Sequence, residues 1–217
     1  MNEFFSLIIL YILSYLLGSL PTAFLIGKIA KGIDIRTHGS GNVGATNAFR
    51  VLGKRWGVLS LVIDIVKGSL AVFVTKLFVS DSIYLSWILL GSGLMAFLGH
   101  LFPLWLRFKG GKGVAVAAGV FFFLLPIETG ITLLFFIVIV SVTRYVSLGS
   151  ILSAGVLPIL IYFNISYFNK TWVTDYPYFI IACIISLGVI IMHSKNIKRL
   201  VEGSESKIFS SDKAIQK

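Results

Sequence analysis

At 217 residues with 57% hydrophobic side chains and a mean hydropathy of +0.94, the chain is too apolar for a soluble globular domain, where roughly 45–50% is usual. A formal net charge of +10 would point a soluble protein toward nucleic acid. In a membrane protein the positive-inside asymmetry explains it first, with anionic headgroups or an anionic substrate as further causes, so no nucleic-acid partner is expected. The single cysteine, Cys183, lies in an apolar run, and His38, His100 and His193 have no partners at metal-ligand spacing. Neither a disulfide, a metal nor a cofactor is therefore expected.

The chain opens on Met1-Asn2-Glu3 without a positive n-region, so the apolar run 4–27 reads as a retained span with its N-terminus outside. Pro21 is expected to bend this span by removing a backbone bond, and Gly18-Ser19 can admit another helix closely. A polar segment, 28–55, leads to a second span over 56–79. Asp64 and Lys67 lie inside it on one helix face. Each would cost roughly 3 kcal/mol unpaired at mid-membrane, which favours an internal ion pair over a direct substrate role. Asp81-Ser82 form a short outer turn, and a third span, 83–106, is interrupted at Gly99-His100 and Pro103. The runs 114–125 and 130–142 are each near or below spanning length, either one broken span or two short ones. Spans over 146–163 and 178–192 follow, joined by a loop, 164–176, whose only basic residue is Lys170.

Charge parity chooses between these alternatives. If both short runs cross, Lys28, Lys31, Arg36, Arg50, Lys54, Arg55, Arg107, Lys109, Lys112, Arg144 and the basic tail share the cytoplasmic side, leaving Lys76 and Lys170 outside. A single crossing would strand the tail outside. The expected fold is therefore an all-α integral membrane protein, a seven-transmembrane-helix bundle with short spans and Gly-rich cytoplasmic loops, N-terminus out and C-terminus in. Residues 1–201 form one membrane-embedded domain and 202–217 a polar, mobile cytoplasmic tail.

That topology puts three unusual polar stretches on one side. The first, 37–50 (THGSGNVGATNAFR), can aim backbone N–H groups at one point if Gly39, Gly41 and Gly44 take positive φ. Ser40, Asn42 and Asn47 add side-chain donors, and Arg50 closes the stretch. A flexible polar connector is the competing reading. The second, Lys109-Gly110-Gly111-Lys112-Gly113, runs straight into an apolar helix at Val114, where free N–H groups and the dipole favour an anion. It lacks the glycine and the Ser/Thr of a Walker A loop, and a basic interfacial anchor is the alternative. The third holds His193 and Asn196 on one helical face, with Ser147 at the same membrane boundary.

Absences narrow the chemistry. No Gly-x-Ser-x-Gly elbow occurs, and five residues after the three histidines stand Val43, Trp105 and Lys198, so there is no His-x-x-x-x-Asp dyad. No paired carboxylates suggest a divalent metal. Groups that hold anions abound while acids and bases are scarce, which suits phosphate-bearing substrates with a good leaving group. A small membrane transporter of phosphate-bearing anions is the alternative, but the spans carry few polar residues beyond Asp64 and Lys67.

The motifs SGNVGATN, FKGGKGVA and HSKNIKRL, in this order, resemble the three signature motifs of the bacterial acyl-phosphate:glycerol-3-phosphate acyltransferases (PlsY), over essentially the whole chain to Leu200. Ser194 stands where the family often carries arginine. The resemblance implies a phospholipid-synthesis enzyme of the bacterial cytoplasmic membrane, its active site facing the cytoplasm. It would convert a fatty acyl phosphate and sn-glycerol 3-phosphate into lysophosphatidate and phosphate, with no metal and no protein base. It further implies that Ser40, Gly41, Asn42, Gly44 and Asn47, with Gly110, Gly111, Gly113 and Val114, bind the acyl phosphate. Arg50, Lys112, Ser147, His193 and Asn196 would hold glycerol 3-phosphate and carry catalysis. Functional coupling to the enzyme that makes acyl phosphate is implied too.

Overall fold

The computed structural model describes residues 3–79, 83–167 and 172–208, and the described residues are all-helical and membrane-embedded in character. The expected turn at Asp81-Ser82, Lys170 and the tail beyond Ile208 lie outside them, as do Met1 and Asn2. The first span is broken where Pro21 removes a backbone donor. Helix α1 (Glu3–Ser19) and helix α2 (Thr22–Lys31) meet at 42°. A 3₁₀ turn at Ile35–Thr37, opened by Asp34 accepting the Arg36 amide at 3.0 Å, leads into the first polar loop. The amphipathic helix α3 (Ala45–Leu52) follows.

Helix α4 (Lys54–Phe78) has 25 residues and α5 (Leu85–Leu101) has 17, extended by a 3₁₀ turn at Leu104–Leu106. After the second loop come α6 (Val114–Leu124), α7 (Pro126–Thr143), α8 (Val146–Tyr167), α9 (Trp172–Met192) and the short α10 (Ser194–Val201). Helices α8 and α9 both run further than the apolar pattern suggested. Residues 164–167 and 172–176 of the expected loop 164–176 are helical, because Asn164 and its neighbours continue the helical hydrogen bonding; 168–171 lie outside the described residues. Among the described residues, five helices are long and apolar enough to cross a bilayer, and a sixth span results if α1 and α2 are taken together. Helix α6, at 11 residues, reaches about 16 Å, roughly half of a hydrocarbon core.

Lipid tails offer no hydrophobic drive between helices, so close backbone approach has to hold the bundle. A Cβ on Gly18 of α1 would overlap the Ala96 carbonyl of α5, and one on Gly99 of α5 would overlap Tyr15 of α1. Gly68 of α4 and Gly119 of α6 interlock in the same manner, against Val116 and Ile65. The internal core lies between α5, α6, α8 and α9, around Leu90, Phe97, Phe121, Ile161 and Ile185. Phe97 reaches from it to the second loop, where a Cβ on Gly113 would strike its ring. Gly113 also sits at φ +79, so glycine is required there twice over. The expected Asp64–Lys67 ion pair forms at 2.8 Å, with both side chains buried.

Candidate active site

The first loop is shaped from within. Gly39 and Gly41 take the expected positive φ of 58° and 70°. Gly44 does not: at φ −103° it is the extended N-cap of α3. Asn47 is 1% exposed. Its Oδ1 accepts the Ser40 amide at 2.9 Å, and its Nδ2 donates to the carbonyls of Ile35 and His38 at 3.2 and 3.1 Å. The side chain expected to meet the substrate is thus fully occupied as the brace of the loop. Asn42 accepts the Gly44 amide at 2.9 Å, while Ser40 stays exposed at the rim. Arg50, six residues after Gly44 on α3, is carried toward the C-terminal segment, where its guanidinium donates to the Ser206 carbonyl at 3.0 Å.

The second loop folds back onto the end of α5. The Gly110 amide donates to the Leu101 carbonyl and the Gly111 amide to the His100 carbonyl, both at 3.0 Å. These two amides, expected to face an anion, are spent on the helix. What is left for an anion is the first turn of α6, whose leading amides have no intrahelical acceptors, at the positive end of its dipole from Val114 onward. Gly110 and Gly111 serve close packing: a Cβ on Gly110 would overlap the His100 carbonyl, and one on Gly111 the His100 ring. Reversing the chain there throws the Lys112 side chain toward the third motif.

Lys112 Nζ donates to Asn196 Oδ1 across 84 residues of sequence. Asn196 Nδ2 donates in turn to Glu205 Oε1 at 2.7 Å, and Ser147 Oγ donates to the same oxygen at 2.8 Å. Arg199 Nε donates to Glu205 Oε2 at 2.7 Å. His193 caps α10 at the end of the last span, 2% exposed, with Nδ1 2.8 Å from the Val189 carbonyl. That contact puts the ring proton on Nδ1 and leaves an acceptor lone pair on Nε2. Arg50, Lys112, Ser147, His193 and Asn196 therefore gather in one place.

Sequence reasoning missed Glu205 and Arg199. The tail was expected to be mobile from Glu202, yet Glu205 is only 8% exposed, and the Ile208 amide donates to the Arg144 carbonyl at 2.8 Å. The chain thus stays packed against the helices as far as Ile208. No periodicity could have placed Glu205, because it follows the end of α10 and its partners come from α8 and α10.

Electrostatics follow from this packing. Burial lowers the Lys112 ammonium to about 8; Glu205 opposes the shift, while Arg199 and Arg50 add to it. Burial and the Lys112 charge lower His193 to about 4, so its imidazole is neutral at physiological pH. Burial pushes the Glu205 carboxyl up, but hydrogen bonds from Arg199, Asn196 and Ser147 outweigh it and leave the carboxyl below its ordinary value. For the acyl transfer that the motifs imply, kcat/KM is expected to fall as pH rises through about 8, as Lys112 loses its proton. Lys112→Arg, if active, should remove that limb. A pH–rate profile of both proteins, measured at limiting substrate, checks this.

The chain matches the family model described as glycerol-3-phosphate acyltransferase over residues 8–203. It is 45% identical over 195 residues to a glycerol-3-phosphate acyltransferase of Trichlorobacter lovleyi, covering 89% of this chain and 93% of the relative. The corresponding protein of Fusobacterium nucleatum is 42% identical, with 90% and 95% covered. Among solved structures, the glycerol 3-phosphate form of PlsY, an integral membrane glycerol 3-phosphate acyltransferase, superposes with a TM-score of 0.83 at 38% identity, covering 94% of this chain and 96% of that one. Its lysophosphatidic acid form gives 0.81 at 37% identity, with 94% and 95% covered.

Proposed function

The chain belongs to the glycerol-3-phosphate acyltransferase family, and from that premise we propose that it moves a fatty acyl group from acyl phosphate to the 1-hydroxyl of sn-glycerol 3-phosphate. It is a membrane acyltransferase; the donor, the residue roles and the orientation are the proposal. The convergence of Lys112, Asn196 and Ser147 from three distant segments on one buried cluster carries the reading. Arg50, Lys112, the Ser147 hydroxyl, Asn196 and the His193 Nε2 lone pair hold glycerol 3-phosphate. The first turn of α6 at Val114 and the rim of the first loop at Ser40, Gly41 and Asn42 take the acyl phosphate. Gly44, Asn47, Gly110, Gly111 and Gly113 hold those two loops in shape.

The 1-hydroxyl oxygen attacks the acyl carbonyl carbon, and a C–O ester bond forms. The bond from that carbon to the phosphate oxygen breaks, and the departing phosphate takes the hydroxyl proton. An acyl phosphate is already activated, so the protein has to position two anions against their repulsion and steady the developing charge. Lys112 is suited to face both phosphates. His193, held neutral, accepts a hydrogen bond from a glycerol hydroxyl and has too little basicity to take its proton outright. The transporter reading is not favoured, since the solved relatives are acyltransferases.

Purified protein is expected to make lysophosphatidate and release phosphate from acyl phosphate and glycerol 3-phosphate, with acyl-CoA and acyl carrier protein inert and EDTA without effect. Robust acyl-CoA turnover, or loss of activity with chelator, would overturn the donor assignment. Such a donor also implies coupling to the enzyme that supplies acyl phosphate. The proposed topology adds α6 as a seventh, short span, with the protein in the bacterial cytoplasmic membrane and its site facing the cytoplasm. In a Cys183→Ala background, Glu202→Cys should be labelled from the cytoplasmic side and Tyr84→Cys from outside. Labelling of both from one face would exclude that topology.

A further inference from the structure

We propose that His100 is a positioning residue, held by Lys67 as the Nε2–H tautomer so that its ring props the second loop from beneath and sets where Lys112 stands. The inference rests on the acyl-transfer reading for its kinetic test alone.

Asp64, Lys67 and His100 form a buried cluster apart from the substrate-facing groups. Asp64 is 1% exposed, Lys67 3% and His100 9%. Asp64 Oδ1 pairs with Lys67 Nζ at 2.8 Å and accepts from Thr22 Oγ1 at 2.9 Å. Lys67 Nζ also donates at 3.0 Å to the Leu20 carbonyl, which accepts the Thr22 amide across the Pro21 break as well, and lies 3.1 Å from His100 Nδ1. An ammonium has only donors, so Nδ1 accepts and the ring proton sits on Nε2. A buried ion pair is weak evidence for stability, because desolvation offsets its attraction. A neutral pair of apolar residues would fill the space at least as well. What the charged cluster adds is a fixed orientation for the imidazole.

That orientation matters because of what lies on the far side of the ring. A Cβ on Gly111 would overlap Nε2, so the ring fills the place beneath the loop that a side chain would otherwise take. The His100 carbonyl, on the same residue, accepts the Gly111 amide at 3.0 Å. Ring and backbone thus grip one glycine, and the next residue is Lys112. The ring also lines a small cavity with Val43 of the first loop, Ser19 and Pro103. His100 therefore stands where the bend of α1 and α2, the first loop and the second loop meet.

The substitution that separates propping from charge balance is His100→Asn. Its amide oxygen can still accept from Lys67, but nothing reaches Gly111. We expect an unfolding temperature near the parent's, with kcat lowered by about ten- to a hundredfold, the scale of an ångström misplacement of a reacting group. The alkaline limb assigned to Lys112 should move, while the KM for glycerol 3-phosphate changes little. Parental kcat and an unmoved limb in a folded His100→Asn protein would overturn the proposal and leave a structural ion pair. Should that variant not fold, Gly111→Ala presses on the ring from the other side and is expected to give the same loss of kcat with the same displaced limb; parental kinetics there would overturn it equally. Histidine ¹⁵N spectra of the parent protein read the tautomer without any substrate. An Nδ1–H tautomer at His100 would reject the Lys67 clamp even if the acyl donor had been assigned wrongly.

Discussion

Lys112→Ala is expected to lower kcat by about two to three orders of magnitude, the loss typical of removing one preorganised electrostatic group. Gly110 and Gly111 spend their amides on the end of α5, which leaves the Lys112 ammonium as the one full charge that the loop sends into the cluster. Burial has already lowered its proton affinity, so it is poorly solvated before substrate arrives, and a second phosphate strengthens its position. If it served binding alone, KM would rise at constant kcat; acting on two phosphates that approach one another, it must matter most in the transition state. Lys109→Ala should cost far less, because that residue is exposed before the turn. His193→Ala should mainly raise the KM for glycerol 3-phosphate. Steady-state kinetics on the three variants, with folding followed by thermal unfolding, decide it. Near-parental kcat in Lys112→Ala, or greater damage from Lys109→Ala, would show the loop assigned wrongly.

Much of this site was legible because its chemistry is local. The glycines, asparagines and basic residues of the first two motifs announce themselves against an apolar background, and the bend at Pro21 and the pairing of Asp64 with Lys67 follow from backbone donors and helix spacing. What sequence could not carry is the direction in which each group is spent. Asn47 looks like a ligand by type, yet three backbone groups seven to twelve residues upstream consume its amide. Gly44 looks like a positive-φ glycine and is an extended helix cap. The length of α6 was also open, since an apolar run cannot say whether Leu125 ends one helix or bends it, and the structure breaks there. Glu205 was invisible for a different reason: it is polar, follows a helix end, and gains meaning through partners the fold brings to it, Ser147 from 58 residues earlier together with Asn196 and Arg199.

Glu205→Ala is accordingly expected to damage both folding and catalysis. The carboxylate accepts from Ser147, Asn196 and Arg199, and it is the negative charge set among Lys112, Arg50 and Arg199. Its removal leaves three donors without an acceptor and three cations facing one another, a change worth about 3 kcal/mol of stability. Asn196 would then be free to turn, and Lys112 would lose the partner that orients it, so kcat should fall by about a hundredfold or more even in the folded fraction. Glu205→Gln tells charge from shape. Its amide oxygen can keep the bonds from Ser147 and Asn196, whereas its NH₂ opposes Arg199; stability should recover in part while activity stays low. The pH dependence gives a second reading. The folded-state carboxyl lies below its ordinary value of 4.5, so its stabilising effect is present above that value and is lost as pH falls through the folded-state value. The parent protein should therefore lose thermal stability on acidification below about 4.5, and Glu205→Gln should flatten that slope. An unchanged acid slope together with parental kcat in Glu205→Gln would mean that the C-terminal segment merely rests against the site, and that Ser147 and Asn196 are oriented without it.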